Sequence, residues 1–181
     1  MTKSNENLMA EVLERNSRKT QPLPVDCAVD EGQDALIQCL VDSTRSVFST
    51  MCGLKLTAGD TACEDDASDR YQISGIIGFS GAIKATIVVS IHEELIFSAA
   101  ESFLGVRPDK IDADVIDLVG ELANMIGGNA KERLKVEGIN LGLPTVVAGE
   151  GHRVVHNSGM AITVLPFQSD RGPLSIELGM V

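Results

Sequence analysis

The chain reads as a mixed α/β domain of the α+β kind. Three observations carry that reading: two long stretches of helical periodicity, apolar strands that alternate with polar residues in hairpins, and a weak internal repeat relating the two helices. Its 181 residues leave room for one domain with a real core, plus tails. With 44% hydrophobic residues but only 3% aromatic and no Trp, that core must be aliphatic.

Residues 1–31 read as a flexible leader ahead of a single domain over 32–181, being polar and broken by Pro22 and Pro24. A first helix is expected over residues 34–53, with Leu36, Ile37, Leu40, Val41, Val47, Phe48 and Met51 on its apolar side. Residues 58–69 form an acidic loop that lacks the Gly and terminal Glu of a calcium loop. A hairpin follows, with residues 72–79 and 83–91 flanking Ser80-Gly81. Ile83, Ala85, Ile87, Val89 and Ile91 there alternate with Lys84, Thr86 and Ser90. A short helix over 92–104 stops at Gly105, ahead of Pro108. A long helix then spans about 112–137, with Gly138 as its terminator, and strands are expected at 145–148, 153–156, 160–166 and 173–181.

The long helix is the most informative element. Val115, Leu118, Val119, Leu122 and Ile126 form one apolar band, and at 100° per residue Asp117, Glu121, Asn124 and Gly128 fall roughly opposite it. Gly120, Ala123 and Gly127 are placed on the same exposed side, removing side-chain bulk beside the carboxylate and the carboxamide. A glycine within a helix costs about 1 kcal/mol relative to Ala, so three of them on an ordinary solvated face need a reason. Close approach of a partner supplies one; on this reading Gly127→Leu blocks the partner and leaves the fold intact. Asp117 either lines that site or is an exposed acid in an early helical turn, where negative charge is favoured.

Charge and composition exclude several classes. Fifteen Lys and Arg against 26 Asp and Glu give a net charge of -11, which argues against nucleic-acid and anionic-membrane partners, since both need a cationic face. Cys27, Cys39, Cys52 and Cys63 contain no CxxC pair, and no zinc or redox motif is indicated. Without an apolar run of membrane-spanning length or a secretory signal, the chain is expected to be cytoplasmic with reduced thiols. His152 and His156 stand four apart in a stretch read as extended, about 13 Å from one another; they are read as surface residues, and no metal site is expected. The chain offers no Gly-x-Ser-x-Gly elbow and no Walker loop.

The repeat lays Leu40-Val41 of the first helix on Leu118-Val119 of the long one, which puts Ser43 where Glu121 stands and Ser46 where Asn124 stands. The first helix thus shares the packing half of the pattern without the acid and the amide.

Glu121-Leu-Ala-Asn124-Met-Ile-Gly-Gly128-Asn129-Ala130-Lys131, with Asp117 before it, Leu143-Pro144-Thr145-Val146 after it and the earlier Ile77-Gly78-Phe79-Ser80-Gly81, resembles the CheX branch of the CheC/CheX/FliY chemotaxis phosphatases over about residues 34–181. The resemblance implies long helices on one face of a mainly antiparallel sheet, and a homodimer made through sheet edges, for which residues 174–181 are a plausible edge. It implies dephosphorylation of a CheY-like response regulator on its aspartyl phosphate. Asn124 would orient the attacking water and Glu121 would pair with the regulator's active-site lysine. Asp117, Gly120, Ala123, Gly127 and Gly128 would face the partner. No cofactor is expected on this chain, the Mg2+ belonging to the regulator. The alternative reading is a non-catalytic adaptor that docks the same helix on a receiver.

Overall fold

The structure, a computed structural model, describes residues 31–63, 71–149, 151–152, 154–156 and 160–181. The expected leader, Glu31 apart, and residues 64–69 of the acidic loop lie outside the described residues. Three helices, α1 (Glu31–Cys52), α2 (Glu93–Leu104) and α3 (Ala113–Leu134), pack together on one face of an antiparallel sheet. The strands are β1 (Thr57–Ala58), β2 (Ala62–Cys63), β3 (Ile73–Gly81), β4 (Ala85–Ile91), β5 (Ile139–Leu141), β6 (Thr145–Ala148), β7 (Ala161–Gln168) and β8 (Leu174–Met180). Their order is β1-β7-β8-β4-β3-β5, with β2 also on β7 and β6 also on β3.

Strand pairing makes the internal repeat explicit. Each half runs helix, two short strands, hairpin, and the short strands of each half pair with the hairpin of the other: β1 and β2 on β7, β5 and β6 on β3. The halves are therefore interlocked, with α2 as the link between them.

The register assigns each face. Ile87 pairs with Leu178 and Val89 with Ile176; these, with Ile73, Ile77, Leu165 and Phe167, meet the apolar bands of the helices in one hydrophobic core, mostly aliphatic but with Phe48 and Phe167 fully buried in it. The opposite face carries Val88 across from Glu177 and Ser90 across from Ser175. That face looks solvent-facing in sequence, yet Val88, Ser90, Ser74 and Glu177 are all fully buried. The connection from β6 to β7 crosses it: the His152 Nε2 lies 2.8 Å from Ser74 Oγ, and the His156 Nε2 lies 3.2 Å from a Glu177 carboxylate oxygen, that pair being almost wholly withdrawn from water. The two histidines are thus packing and hydrogen-bonding residues, not the surface residues expected. No strand forms at 154–156, because the chain there is held through side chains on the sheet face and not along a sheet edge.

Other boundaries move for identifiable reasons. Asp112 caps α3, its carboxylate accepting from Val115 N at 3.1 Å, but the helix ends at Leu134 and not at Gly138, because Lys135 itself takes the left-handed conformation at φ 55°. His92 caps α2, accepting at Nδ1 from Glu94 N, and Gly105 ends it at φ 72° as expected. Part of the expected acidic loop is ordered as β1 and β2, two-residue strands too short to show a period. The C-terminal strand β8 is hydrogen-bonded on both sides, to β4 and to β7. It is central, so it cannot be the pairing edge of a dimer.

At the end of α1, burial pushes the Cys52 thiol up to about 11. A raised thiol pKa leaves about one thiolate in a thousand at pH 8. Cys52 is expected to resist iodoacetamide in the native protein and to react on denaturation; rapid native labelling, read by mass spectrometry, would contradict its burial. No helix among the described residues is long and apolar enough to cross a membrane.

Candidate active site

The polar ridge of α3 forms as its spacing predicts. Val115, Leu118, Val119, Leu122 and Ile126 are buried, while Asp117, Glu121 and Asn124 are exposed and Gly128 has open space where a side chain would stand. Burial of the apolar band fixes the rotation of the helix, and rotation alone sends the acid and the amide outward. Glu121 and Asn124 are one turn apart, about 5–6 Å between Cβ atoms. Neither makes a hydrogen bond or an ion pair with the described residues, so both are available to a partner.

The small residues beside them are placed differently from expectation. Gly120, Ala123 and Gly127 are buried, not exposed. A Cβ on Gly120 would stand 3.6 Å from Val146 Cγ2 and 3.9 Å from Pro144 Cγ, and one on Gly127 would stand 3.2 Å from Leu141 Cδ1 and 3.4 Å from Ile77 Cγ2. Ala123 faces Gly75 of β3, where an added Cβ would come within 2.8 Å of the Ala123 methyl. These residues let α3 lie close on β3, β5 and β6; they support the ridge from beneath and are not a surface for a partner. Of the four small residues assigned to partner contact, Gly128 alone lies on the open side.

The helix continues through Gly127-Gly128, so neither is a cap. Because a helix residue advances 100°, Gly120 and Gly127 point to one side and Asn124 lies about 50° from them. The stretch that carries Glu121 and Asn124 is therefore braced at both ends, Gly120 and Gly127, by the segment from Leu141 to Val146.

Burial also corrects the register of the repeat. Leu36, Leu40, Ser43, Thr44, Val47 and Phe48 of α1 are buried, and advancing each by 79 gives Val115, Val119, Leu122, Ala123, Ile126 and Gly127, all buried in α3; Cys52 in the last turn of α1 departs from the match, falling on half-buried Lys131. An advance of 78, as the Leu-Val match suggested, would set buried Ser43 on exposed Glu121. With the packing register, Asp42 corresponds to Glu121 and Arg45 to Asn124. The acid has a counterpart, and the amide is replaced by a guanidinium. Of the two repeated helices, α3 carries the acid-and-amide pair and α1 does not. Among the described residues no group of three or more His, Cys, Asp or Glu side chains converges on a point where a metal ion could be held.

A family model described as chemotaxis phosphatase CheX matches residues 73–168, which span the hairpin, the ridge and all of β7. Among solved structures, a CheC-like superfamily protein from Shewanella sp. PV-4 is 33% identical with a TM-score of 0.76, over 81% of this chain and 97% of that one. Chemotaxis protein CheX from Vibrio vulnificus is 30% identical with a TM-score of 0.76, over 81% of this chain and 99% of that one. A chain of the CheX–CheY–BeF3–Mg2+ complex from Borrelia burgdorferi shares the fold, with a TM-score of 0.67 and 19% identity over 84% of this chain and 98% of that one. No curated protein sequence matches the chain.

Proposed function

Since the chain belongs to the CheX family of chemotaxis phosphatases, we propose that it hydrolyses the aspartyl phosphate of a CheY-like response regulator, using Asn124 and Glu121. The observation that carries this reading is the ridge itself: a carboxylate and a carboxamide, neither paired among the described residues, stand one turn apart on the outermost side of a helix braced rigidly from behind. A carboxamide both donates and accepts, so Asn124 can hold a water by its oxygen while also touching the phosphoryl group. The water oxygen attacks phosphorus, the bond from phosphorus to the aspartate oxygen breaks, the aspartate leaves as a carboxylate, and the water proton passes to the phosphate product or to solvent. The gain is one of position. The Mg2+ that neutralises the phosphoryl oxygens belongs to the receiver.

Glu121 supplies docking charge for the receiver's lysine. A partner of this kind places the chain in the cytoplasm. A homodimer fits the family and, with β8 internal, its sheet contact falls to the outer strands on β3 or β7. The direct test follows radiolabelled phosphate on purified CheY-like receivers with and without the protein. Faster decay on at least one receiver is expected; unchanged decay on all of them, with binding retained, would leave an adaptor.

Glu121→Lys replaces the attraction by repulsion at the same spot. It is expected to raise KM for the phosphorylated receiver roughly tenfold, equivalent to about 1.4 kcal/mol of docking, with kcat little changed and with a salt dependence opposite to that of the native protein. Unaltered kinetics would remove Glu121 from the mechanism.

A further inference from the structure

Leu143 is 92% exposed, more than any other large hydrophobic residue described. The chain around it is held on both sides. Gly142 N donates to Gly78 O at 2.9 Å, Thr145 opens β6 in register with Ile76, Pro144 abuts Gly120, and Leu141 abuts Gly127. Leu143 is thus presented to solvent by a fixed backbone.

Its position follows from these contacts. Leu141 lies beside Gly127 and Pro144 beside Gly120, so the segment runs antiparallel to α3 and carries Leu143 past the turn that holds Asn124. Asn124 is also the ridge residue nearest this segment in rotation, with Asp117 and Glu121 lying further round the helix. The exposed surface therefore has an apolar point, Leu143, then the amide, then two carboxylates.

We propose that Leu143 is a docking contact for the phosphorylated receiver, seated on an apolar patch next to the receiver's phosphoaspartate while Glu121 and Asp117 face its basic side. The inference rests on the phosphatase reading, since it takes Asn124 to be inserted at the phosphoaspartate. The charge order selects the occupant: a cation on one side of the inserted amide and an apolar surface on the other. A contact of this kind adds affinity without touching the reacting atoms. It sets which receivers are served.

The test is Leu143→Ser, whose exposed position predicts an unchanged thermal midpoint. Two quantities are read: KM and kcat for CheY-like receivers phosphorylated by acetyl phosphate, and Kd for the same receivers loaded with Mg2+ and beryllofluoride. The expected result is a rise of about tenfold in both KM and Kd with kcat within twofold of native. Unchanged KM and Kd would overturn the inference, as would a fall in kcat alone. Loss of self-association in light scattering with receiver binding intact would also overturn it, assigning Leu143 to a contact between copies of this chain. If the native protein binds the loaded receivers but hydrolyses none, the phosphatase reading fails separately and Kd alone decides Leu143; if it binds none of them, both fall.

Discussion

Asn124→Ala is expected to lower kcat for receiver dephosphorylation by about 10²-fold or more, the order lost when one preorganised hydrogen-bonding group is removed from an active site. Asn124 is exposed, packs on nothing in the core and bonds no described residue, so the fold has no stake in it. Thermal midpoint and affinity for the beryllofluoride-loaded receiver should stay near native. A binding surface would behave in the opposite way, losing affinity with turnover, and an adaptor would have no turnover to lose. Asn124→Asp sharpens the distinction. It keeps the shape, removes the donor and adds a second negative charge beside the phosphoryl group, so it should be at least as damaging as Ala. If Asn124→Ala retains native kcat, the water is held by something other than this residue.

Elements with a long period were legible in the sequence because burial acts on many residues at once. The bands of α1 and α3 and the alternation of β4 and β8 each depend on five or more positions, and no single exception hides them. Strands of two or three residues, such as β1, β2 and β5, cannot show a period and were missed. Alternation also tells which side chains share a face without telling what covers that face. Ser90 belongs to the polar half of the β4 alternation and His152 and His156 read as surface residues, yet Ser90 is buried and the histidines lie on that same face, against Ser74 and Glu177. Position in the sheet was equally hidden, since β8 carries few charges both as an imagined edge and as the central strand it is.

The ridge was legible for a different reason. Its outward direction is set by the buried band opposite, which the sequence states plainly in Val115, Leu118, Val119, Leu122 and Ile126. What lies 50–100° to the side is ambiguous, because a small residue there suits either a partner's approach or a neighbouring strand's. Gly120, Ala123 and Gly127 fell into that ambiguity, and the strands that settle it include β5, which the pattern could not reveal. The repeat failed by one residue for a related cause: two Leu-Val pairs look alike, but burial pairs Leu40 with Val119.

The close seat of α3 on the sheet makes Gly75→Val a strongly damaging change. A Cβ at Gly75 would stand 2.8 Å from the Ala123 methyl and 3.2 Å from both Val119 Cγ1 and the Val119 carbonyl oxygen. The last of these is backbone of α3, and it cannot rotate away. Val adds two more methyl groups to a gap that does not admit the first, so helix and strand must separate. The expected cost is about 3 kcal/mol or more, seen as a fall of roughly 10 °C in thermal midpoint for a chain of this length. Gly127→Leu should act in the same direction through Leu141 and Ile77, the reverse of what an exposed glycine would do. Gly128→Leu is the control on the open side: nothing lies within 4 Å of its Cβ position, so stability should hold or rise by up to about 1 kcal/mol, while docking on the receiver weakens. A Gly75→Val protein with a native midpoint would mean that α3 does not rest on β3 at this distance, and the rigid bracing of Glu121 and Asn124 would go with it.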